Sequence, residues 1–319
     1  MITFSDSIEF AAQILPVEFA AHRAFSPACD HDLMPIIAAL LGDPRDVLVG
    51  TAAIPAWTHL FLTTHSARSQ CDQLIELSRT GHHLPDHAAC LARTGSSFHG
   101  FKGRPWSAAP GNIHLAAHFS PGRVIERFEV AFTILAAVSA AEAIDGLPGL
   151  TRRPDIRWVN DIVLGDAKVG GVLAYTQTQG QTVTSAVLGI GLNVEVTPVV
   201  EPTPFVPSVT CLREFIVGGK DASLGVLVGR LLAALARNYG LLLQEGYRPL
   251  LERYRQRSSV TDKLCTICTE ESDHDPSVIA VGRLAAIGDG LELYVDGCRR
   301  PITRGRLLIG PPPAHQALH

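Results

Sequence analysis

What this chain lacks narrows the field before any motif is read. No run of Lys or Arg stands out, and the formal net charge is −4, with 27 basic against 31 acidic residues. The global field therefore gives no reason to expect nucleic acid as a partner. The 7 cysteines, at positions 29, 71, 90, 211, 265, 268 and 298, are odd in number and irregularly spaced. That pattern excludes the evenly paired framework of a small secreted scaffold and predicts a reducing, cytoplasmic setting. The opening segment carries Asp6 and Glu9 and no basic start, so no secretory signal is expected. No Gly-x-Ser-x-Gly elbow and no Walker phosphate loop occurs.

A long run free of Asp, Glu, Lys and Arg does exist, from Val169 to Val194. It has the length of a bilayer span, but Gln177, Gln179, Gly180, Gln181 and several Thr interrupt it. Two buried strands joined by a polar hairpin are expected there, and no membrane partner. With 46% hydrophobic and 18% charged residues over 319 positions, the chain can bury a substantial core.

Residues 1–55 read as a separate extension, with apolar runs at Phe10 to Leu15 and Met34 to Leu41 broken by Pro16, Pro27, Pro35 and Pro44. No function is assigned to it beyond a packing layer or partner surface. From residue 56 the texture is mixed. A short helix suits Ser66 to Ser78, and strands suit Ala88 to Arg93 and Asn112 to Phe119. Arg123 to Asp145 has helical length, with Phe128, Phe132, Leu135, Val138 and Ala141 on roughly one face. Val183 to Val194 reads as a strand, and Pro198, Pro202, Pro204 and Pro207 mark a loop. Ser223 to Tyr247 is a second long amphipathic helix with Ser223 placed as its cap. Beyond Ser258, Gly288-Asp289-Gly290 and Asp296-Gly297 are hairpin signals that predict a small antiparallel barrel.

The most informative stretch is Arg157-Trp158-Val159-Asn160-Asp161-Ile162-Val163-Leu164, closed by Lys168-Val169-Gly170-Gly171-Val172-Leu173. Gly165-Asp166 is a turn signal, so an amide, a carboxylate and an amine gather at one end of a two-stranded ribbon. Asn160-Asp161 alone would be an ordinary turn dipeptide. Its coupling to Trp158, Lys168 and the paired glycines gives it meaning. The pattern resembles the central motif of the biotin–protein ligases, Lys/Arg-Trp-Pro-Asn-Asp, a turn, then Lys-x-x-Gly-Ile-Leu.

Three further places carry the resemblance. Phe98-His99-Gly100-Phe101-Lys102-Gly103-Arg104-Pro105-Trp106, followed by Gly111-Asn112-Ile113, is similar to the family's Gly-Arg-Gly-Arg-x-Gly-Arg-x-Trp loop and the strand after it. Gly100, Gly103, Arg104 and Trp106 match, and Lys102 stands for the third Arg. His99 and Phe101 replace the first two arginines, a departure from the pattern. Val187-Leu188-Gly189-Ile190-Gly191-Leu192-Asn193-Val194 is similar to the family's Ile-Gly-x-Gly-Ile-Asn-Val strand. It lacks the third glycine and following helix of a dinucleotide fingerprint. Val209-Thr210-Cys211-Leu212 resembles the family's Thr-Ser-Leu step.

The resemblance implies an α+β fold: a mixed or antiparallel sheet packed by helices over residues 56–257, then an SH3-like barrel and tail over residues 258–319. The helix-turn-helix that some members carry ahead of it is not apparent. The implied activity has two half-reactions, in which ATP and a carboxylic acid give an acyl-adenylate, and a carrier-protein lysine then takes the acyl group. Lys168 would grip the acid's carboxylate and the α-phosphate. Lys102 and Arg104 would neutralise phosphates, and Asp161 would orient the incoming lysine and help remove its proton. Asn160 would align metal or phosphate, and Trp106 would wall the pocket. Gly100, Gly103, Gly170, Gly171, Gly189 and Gly191 would let backbone approach the ligand, and Asn193 would offer its amide to the nucleotide. Mg2+ is expected with ATP, and no protein metal site. The expected partners are a small acid, biotin foremost, and a biotinyl or lipoyl carrier domain; a homodimer through the sheet stays open.

A lipoate–protein ligase, whose Arg-Arg-x-x-Gly-Gly-Gly signature is absent, or a ligase for another small acid, is the nearest alternative. A non-catalytic binder of the acid or its adenylate, and a carrier-docking factor using residues 1–55, are the others. His114 and His118 alternate on a predicted strand about 13 Å apart, too far for one metal ion. Cys265-x-x-Cys268 has no second pair and is expected to be structural.

Overall fold

The computed structural model describes residues 1–15, 23–26, 31–218, 223–270 and 277–312. Pro16, Pro27, Cys29 and the tail from 313 onward lie outside the described residues. A mixed sheet organises the chain. Its strands lie in the order β10-β11-β12-β13-β8-β6-β4-β1-β3-β2, with β9 beside β13. Their ranges are β1 (Ile2–Ser5), β2 (Arg23–Ala24), β3 (Leu48–Thr51), β4 (His59–Thr63), β6 (Ala88–Ala92) and β8 (Ile113–Phe119). The far side is β9 (Arg123–Val124), β10 (Pro154–Arg157), β11 (Asp161–Leu164), β12 (Ala167–Gln179) and β13 (Thr182–Leu192). Two short strands, β5 (Ser66–Arg68) and β7 (Gly95–Ser97), pair apart from it.

Both faces of the sheet's centre are covered, and the period-2 alternation of strands sorts residues between two cores. Leu60 and Leu62, Ala89 and Leu91, and Ile113, Leu115, Ala117 and Phe119 enter the larger core. Phe61, Ala88, Cys90 and Ala116, one step out of phase, enter the other. On that second side lie α2 (Met34–Leu40) and α3 (Gln70–Arg79). The first side holds α1 (Ile8–Ile14), α4 (Phe128–Asp145), α5 (Leu224–Glu245) and α6 (Arg248–Gln256).

The strands, helices and caps expected from the sequence appear with shifted ends. Ser223 caps α5 by accepting from Val226 N. α4 starts at Phe128, later than expected, because Arg123 and Val124 pair with Val183 and Thr182 instead. Its burial is not confined to one face. From Ala131 to Ile144 nearly every side chain is buried, because the sheet lies on one side and α5 and α6 on the other. α5 is long and apolar enough to cross a membrane by length and composition, but its apolar stripe packs on α4 and α6. At that contact the fully buried Asn238 donates to Ser139 Oγ at 2.9 Å and Glu142 Oε2 at 3.0 Å, fixing the helix register.

The first 55 residues are not a separate extension. β1 runs parallel beside β4 and antiparallel to β3, so this segment completes the same sheet. Phe10, Ala11 and Ile14 of α1 join the larger core against α5. Prolines suggested a boundary because local breakers say nothing about which distant edge a short strand will extend.

The C-terminal unit is a four-stranded antiparallel sheet, the small barrel-like element expected. Its order is β16-β15-β14-β17, with β14 (Leu264–Cys268), β15 (Val278–Ile287), β16 (Leu293–Val295) and β17 (Arg306–Ile309). Gly288 to Gly290 turn between β15 and β16, with Gly290 N donating to Glu292 Oε2 at 2.8 Å. Trp158 Nε1 donates to Leu291 O at 2.8 Å, and Arg255 reaches both Ile287 O and Asp289 at 2.9 Å, which docks this sheet to the main body. Cys265 and Cys268 are buried in different clusters, as an i, i+3 pair on a strand must be.

Gly225 gives a test of how α1 is seated. A Cβ there would lie 2.8 Å from Gln13 O and 2.9 Å from Ile14 O. Gly225→Ala is therefore expected to push α1 off α5 at a cost of about 1–3 kcal/mol. Gly229→Ala, on the same helix with open space around it, should be neutral or stabilise by up to about 1 kcal/mol. Urea midpoints of the two variants check this.

Candidate active-site cleft

One cleft of about 640 Å³ gathers nearly every residue singled out in the sequence. It opens between the β10–β12 ribbon, the loop from Phe98 to Trp106, α3, the proline loop and β17. At the ribbon the register slips: Ile162 faces Gly170 while Val163 faces Lys168, leaving Val169 as an extra residue in β12. Val169 drops into the core and Lys168 turns toward the cleft. Lys168 Nζ then lies 2.6 Å from Asp161 Oδ1, and Arg157 Nη2 lies 3.1 Å from Asp161 Oδ2. Burial pushes the Asp161 carboxyl up, but Lys168 and Arg157 together pull it below the ordinary carboxylate range. The group is a permanent anion with both oxygens engaged, suited to aiming Lys168 and poorly suited to taking a proton.

Backbone ties make Lys168 immobile at its root. Its N–H donates to Ser208 O, and its C=O accepts from Thr210 N, both at 2.9 Å. Asn193 is buried, donates to Thr210 O at 3.0 Å, and keeps a buried Oδ1 without a partner. It thus braces the Thr210-Cys211-Leu212 step, and its free acceptor is what remains for a ligand. Asn160 commits its amide nitrogen to Val172 O at 2.7 Å, which closes the turn ahead of Asp161.

The glycines turn out to make room mainly for protein. A Cβ on Gly191 would meet the Trp106 ring at 2.5 Å, one on Gly189 would meet Cys71 Sγ at 2.7 Å, and one on Gly170 would meet Gly191 O at 2.5 Å. Gly171 leaves space for the Lys168 stem, 3.6 Å from a Cβ built there. Gly100 lines the cleft, whereas Gly103 and Gly170 do not. In the loop, Lys102 and Gly103 both take positive φ, 59° and 73°. Lys102 pairs with Glu270 from the C-terminal unit, and Arg104 Nε donates to Phe101 O at 3.1 Å. Trp106 lies flat over Gly191 because His114 holds it: Trp106 Nε1 donates to Nδ1 at 3.2 Å, and Nε2–H donates to Ala109 O at 3.0 Å. Burial lowers the pKa of His114, which suits this neutral acceptor role. His118, equally buried, is engaged by Pro85 O and Ser185, so neither ring is a ligand in waiting.

Sequence reasoning missed three contributors. Arg157 was visible as the head of the ribbon motif without a role. Gln70 opens α3 with both amide atoms buried, unpartnered and on the cleft wall, a position no motif flagged. Arg306 lies 3.6 Å from the centre of the Phe205 ring, and burial, with Arg104 adding to it, pushes its pKa down to about 10. Arg104 and Arg306 thus bring two cations to the same cleft wall.

Gly191→Ala should expel the Trp106 ring and break its bond to His114. A destabilisation of about 1–3 kcal/mol and a red shift in Trp fluorescence are expected, read by urea denaturation and emission spectra.

Comparisons with known proteins agree with this geometry. Residues 79–193 match the biotin/lipoate A/B protein ligase family. The bifunctional ligase/repressor BirA of Bacillus subtilis is 25% identical over 185 residues, 56% of this chain and 55% of that protein. The biotin–[acetyl-CoA-carboxylase] ligase of Paracoccus denitrificans is 31% identical over 116 residues, 36% of this chain and 48% of that one. The chain thus spans about half the length of these curated relatives. Among solved structures, the biotin protein ligase of Aquifex aeolicus in complex with biotin and ATP shares the fold, with a TM-score of 0.60 and 17% identity over 80% of this chain and 100% of that one. The stretch that matches this family's model, residues 79–193, is the one that builds the heart of the cleft.

Proposed function

We propose that this chain is an ATP-dependent biotin–protein ligase. It activates a small carboxylic acid, biotin foremost, as an acyl-adenylate and transfers the acyl group to a lysine of a carrier protein. The observation that carries the reading is the aimed amine: Lys168 Nζ held at 2.6 Å from the Asp161 carboxylate, inside a cleft that Arg104 and Arg306 also line.

In the first half-reaction an oxygen of the acid's carboxylate bonds to the α-phosphorus of ATP, and the bond to pyrophosphate breaks. Negative charge gathers on the phosphoryl oxygens, and Lys168 is placed to stabilise it. Arg104, Arg306 and Lys102 supply the cations that hold the polyphosphate. In the second half-reaction the neutral ε-amine of the acceptor attacks the acyl carbon, AMP leaves with the bonding pair, and the nitrogen releases its extra proton to solvent. Asp161, freed on one oxygen once Lys168 engages phosphate, accepts a hydrogen bond from that amine and orients it. Among the described residues no group of three or more His, Cys, Asp or Glu could hold a metal ion. Mg2+ would enter with the nucleotide as MgATP and screen the charge of the triphosphate.

Similarity to the biotin–[acetyl-CoA-carboxylase] ligase of Paracoccus denitrificans supports biotin as the acid and a carboxylase as one kind of acceptor. A cytoplasmic setting fits the free thiols of Cys71, Cys90, Cys211, Cys265, Cys268 and Cys298.

ATP–pyrophosphate exchange with biotin, lipoate and octanoate in separate reactions tests the reading. Exchange that depends on biotin is expected, and none with any acid would remove it. Lys168→Ala should lower exchange by about a thousandfold or more; it leaves the Asp161 carboxylate with Arg157 alone and so lowers the thermal transition as well, while the protein stays folded at the assay temperature. An active Lys168→Ala would take the residue out of the chemistry.

A further inference from the structure

The loop from Phe98 to Trp106 has few bonds of its own: Gly100 N to Arg104 O, Gly103 N to Gly100 O, Trp106 N to Phe98 O and Arg104 Nε to Phe101 O. Side-chain ties hold it from outside. Trp106 binds His114 at its end, and Lys102 pairs with Glu270 on the C-terminal side. The tie to α3 is His99, which stands where the similar loops carry arginine. Its Nε2 is 2.8 Å from Asp72 Oδ2 in the first turn of α3, and its Nδ1 is 3.2 Å from Gly100 O.

A carboxylate and a carbonyl are both acceptors. A neutral imidazole has a single N–H and can satisfy one of them, leaving lone pair against lone pair at the other. Only the imidazolium donates to both. We infer that His99, as its imidazolium, is the positioning residue that clamps the loop bearing Lys102 and Arg104 onto α3, so that the grip on bound polyphosphate loosens when this ring loses its proton. The link to polyphosphate rests on the ligase reading; the clamp itself does not.

The groups around the ring agree. From α3 come the Asp72 carboxylate and the Cys71 thiol, which burial pushes up to about 12 and so keeps neutral. From β12 comes Tyr175, whose hydroxyl accepts from Arg79 Nε at 2.9 Å. Lys102 is the cation on the same loop, and it is paired with Glu270. The Gly100 carbonyl holds the His99 pKa above the ordinary imidazole value; partial burial opposes this and Asp72 adds to it. A raised folded-state pKa means the clamp is complete below the ordinary imidazole range and loses one of its two bonds, and its charge, as pH rises through the folded value. Arginine at this position would keep its charge at every pH, whereas histidine titrates.

Amide hydrogen exchange over Gly100 to Arg104 in the free, full-length chain reads the clamp directly, after correction for intrinsic rates. Protection is expected to fall about tenfold between about pH 6 and about pH 8.5. His99→Arg should stay protected throughout, His99→Gln should be unprotected throughout, and Asp72→Asn should move the midpoint to lower pH. In parallel, the KM for ATP in biotin-dependent exchange should rise several-fold over the same range with little change in kcat, and should be flat in His99→Arg. Protection independent of pH in the native chain, or an unchanged pH dependence in His99→Gln, would overturn the clamp even if exchange is normal. A pH-dependent loop in a chain that exchanges no acid would uphold the clamp and defeat the ligase reading.

Discussion

A carboxylate buried between two cations is the constraint around which the cleft is arranged. Taking the Asp161 charge out of water is costly, and only the combined pull of Lys168 and Arg157 offsets it. Three side chains on different parts of a ribbon must therefore keep one geometry, and the surrounding bonds enforce it. The slip at Val169 turns Lys168 inward, Asn160 fixes the turn before Asp161, and Tyr254 Oη donates to Val159 O at 2.9 Å from behind. Removing one partner would leave a buried charge uncompensated, so the cluster is held together by the penalty of breaking it more than by the gain of forming it.

The second organising feature is that the cleft borrows its walls. The ribbon supplies the aimed amine, α3 and its cap residue supply Gln70, Cys71 and Ser69, and the C-terminal unit supplies Glu270 and Arg306. Phe205 of the proline loop packs in a small cluster with Cys268 and Leu308, so the C-terminal sheet steadies that loop as well. A loop tied on one side to α3 and on the other to this sheet can respond to both.

How much of this was legible in the chain follows from the range of each interaction. Asn160, Asp161 and Lys168 lie within one hairpin, and a hairpin's register is written locally, so the centre of the site could be read directly. The alternation of β8 and β13 and the cap at Ser223 were readable for the same reason. The glycines were readable as necessary but not in their purpose: Gly191 makes room for the Trp106 ring, a contact across the sheet that spacing alone cannot express. Arg306 and Glu270 reach the cleft through a docking of two units, and residues 1–55 join the sheet through β1 and β3, pairings that no local pattern encodes.

The borrowing of Arg306 has a consequence for biosynthesis. A ribosome completes the ribbon, with its charged cluster, long before it reaches β17. In that interval the β8–β13 pairing can form and the Asp161 cluster can close, because everything they need has already emerged. The wall carrying Arg306 and Glu270 has not, and the loop bearing Lys102 lacks its tie to the C-terminal unit. A nascent chain thus owns a sheet well before it owns a walled cleft.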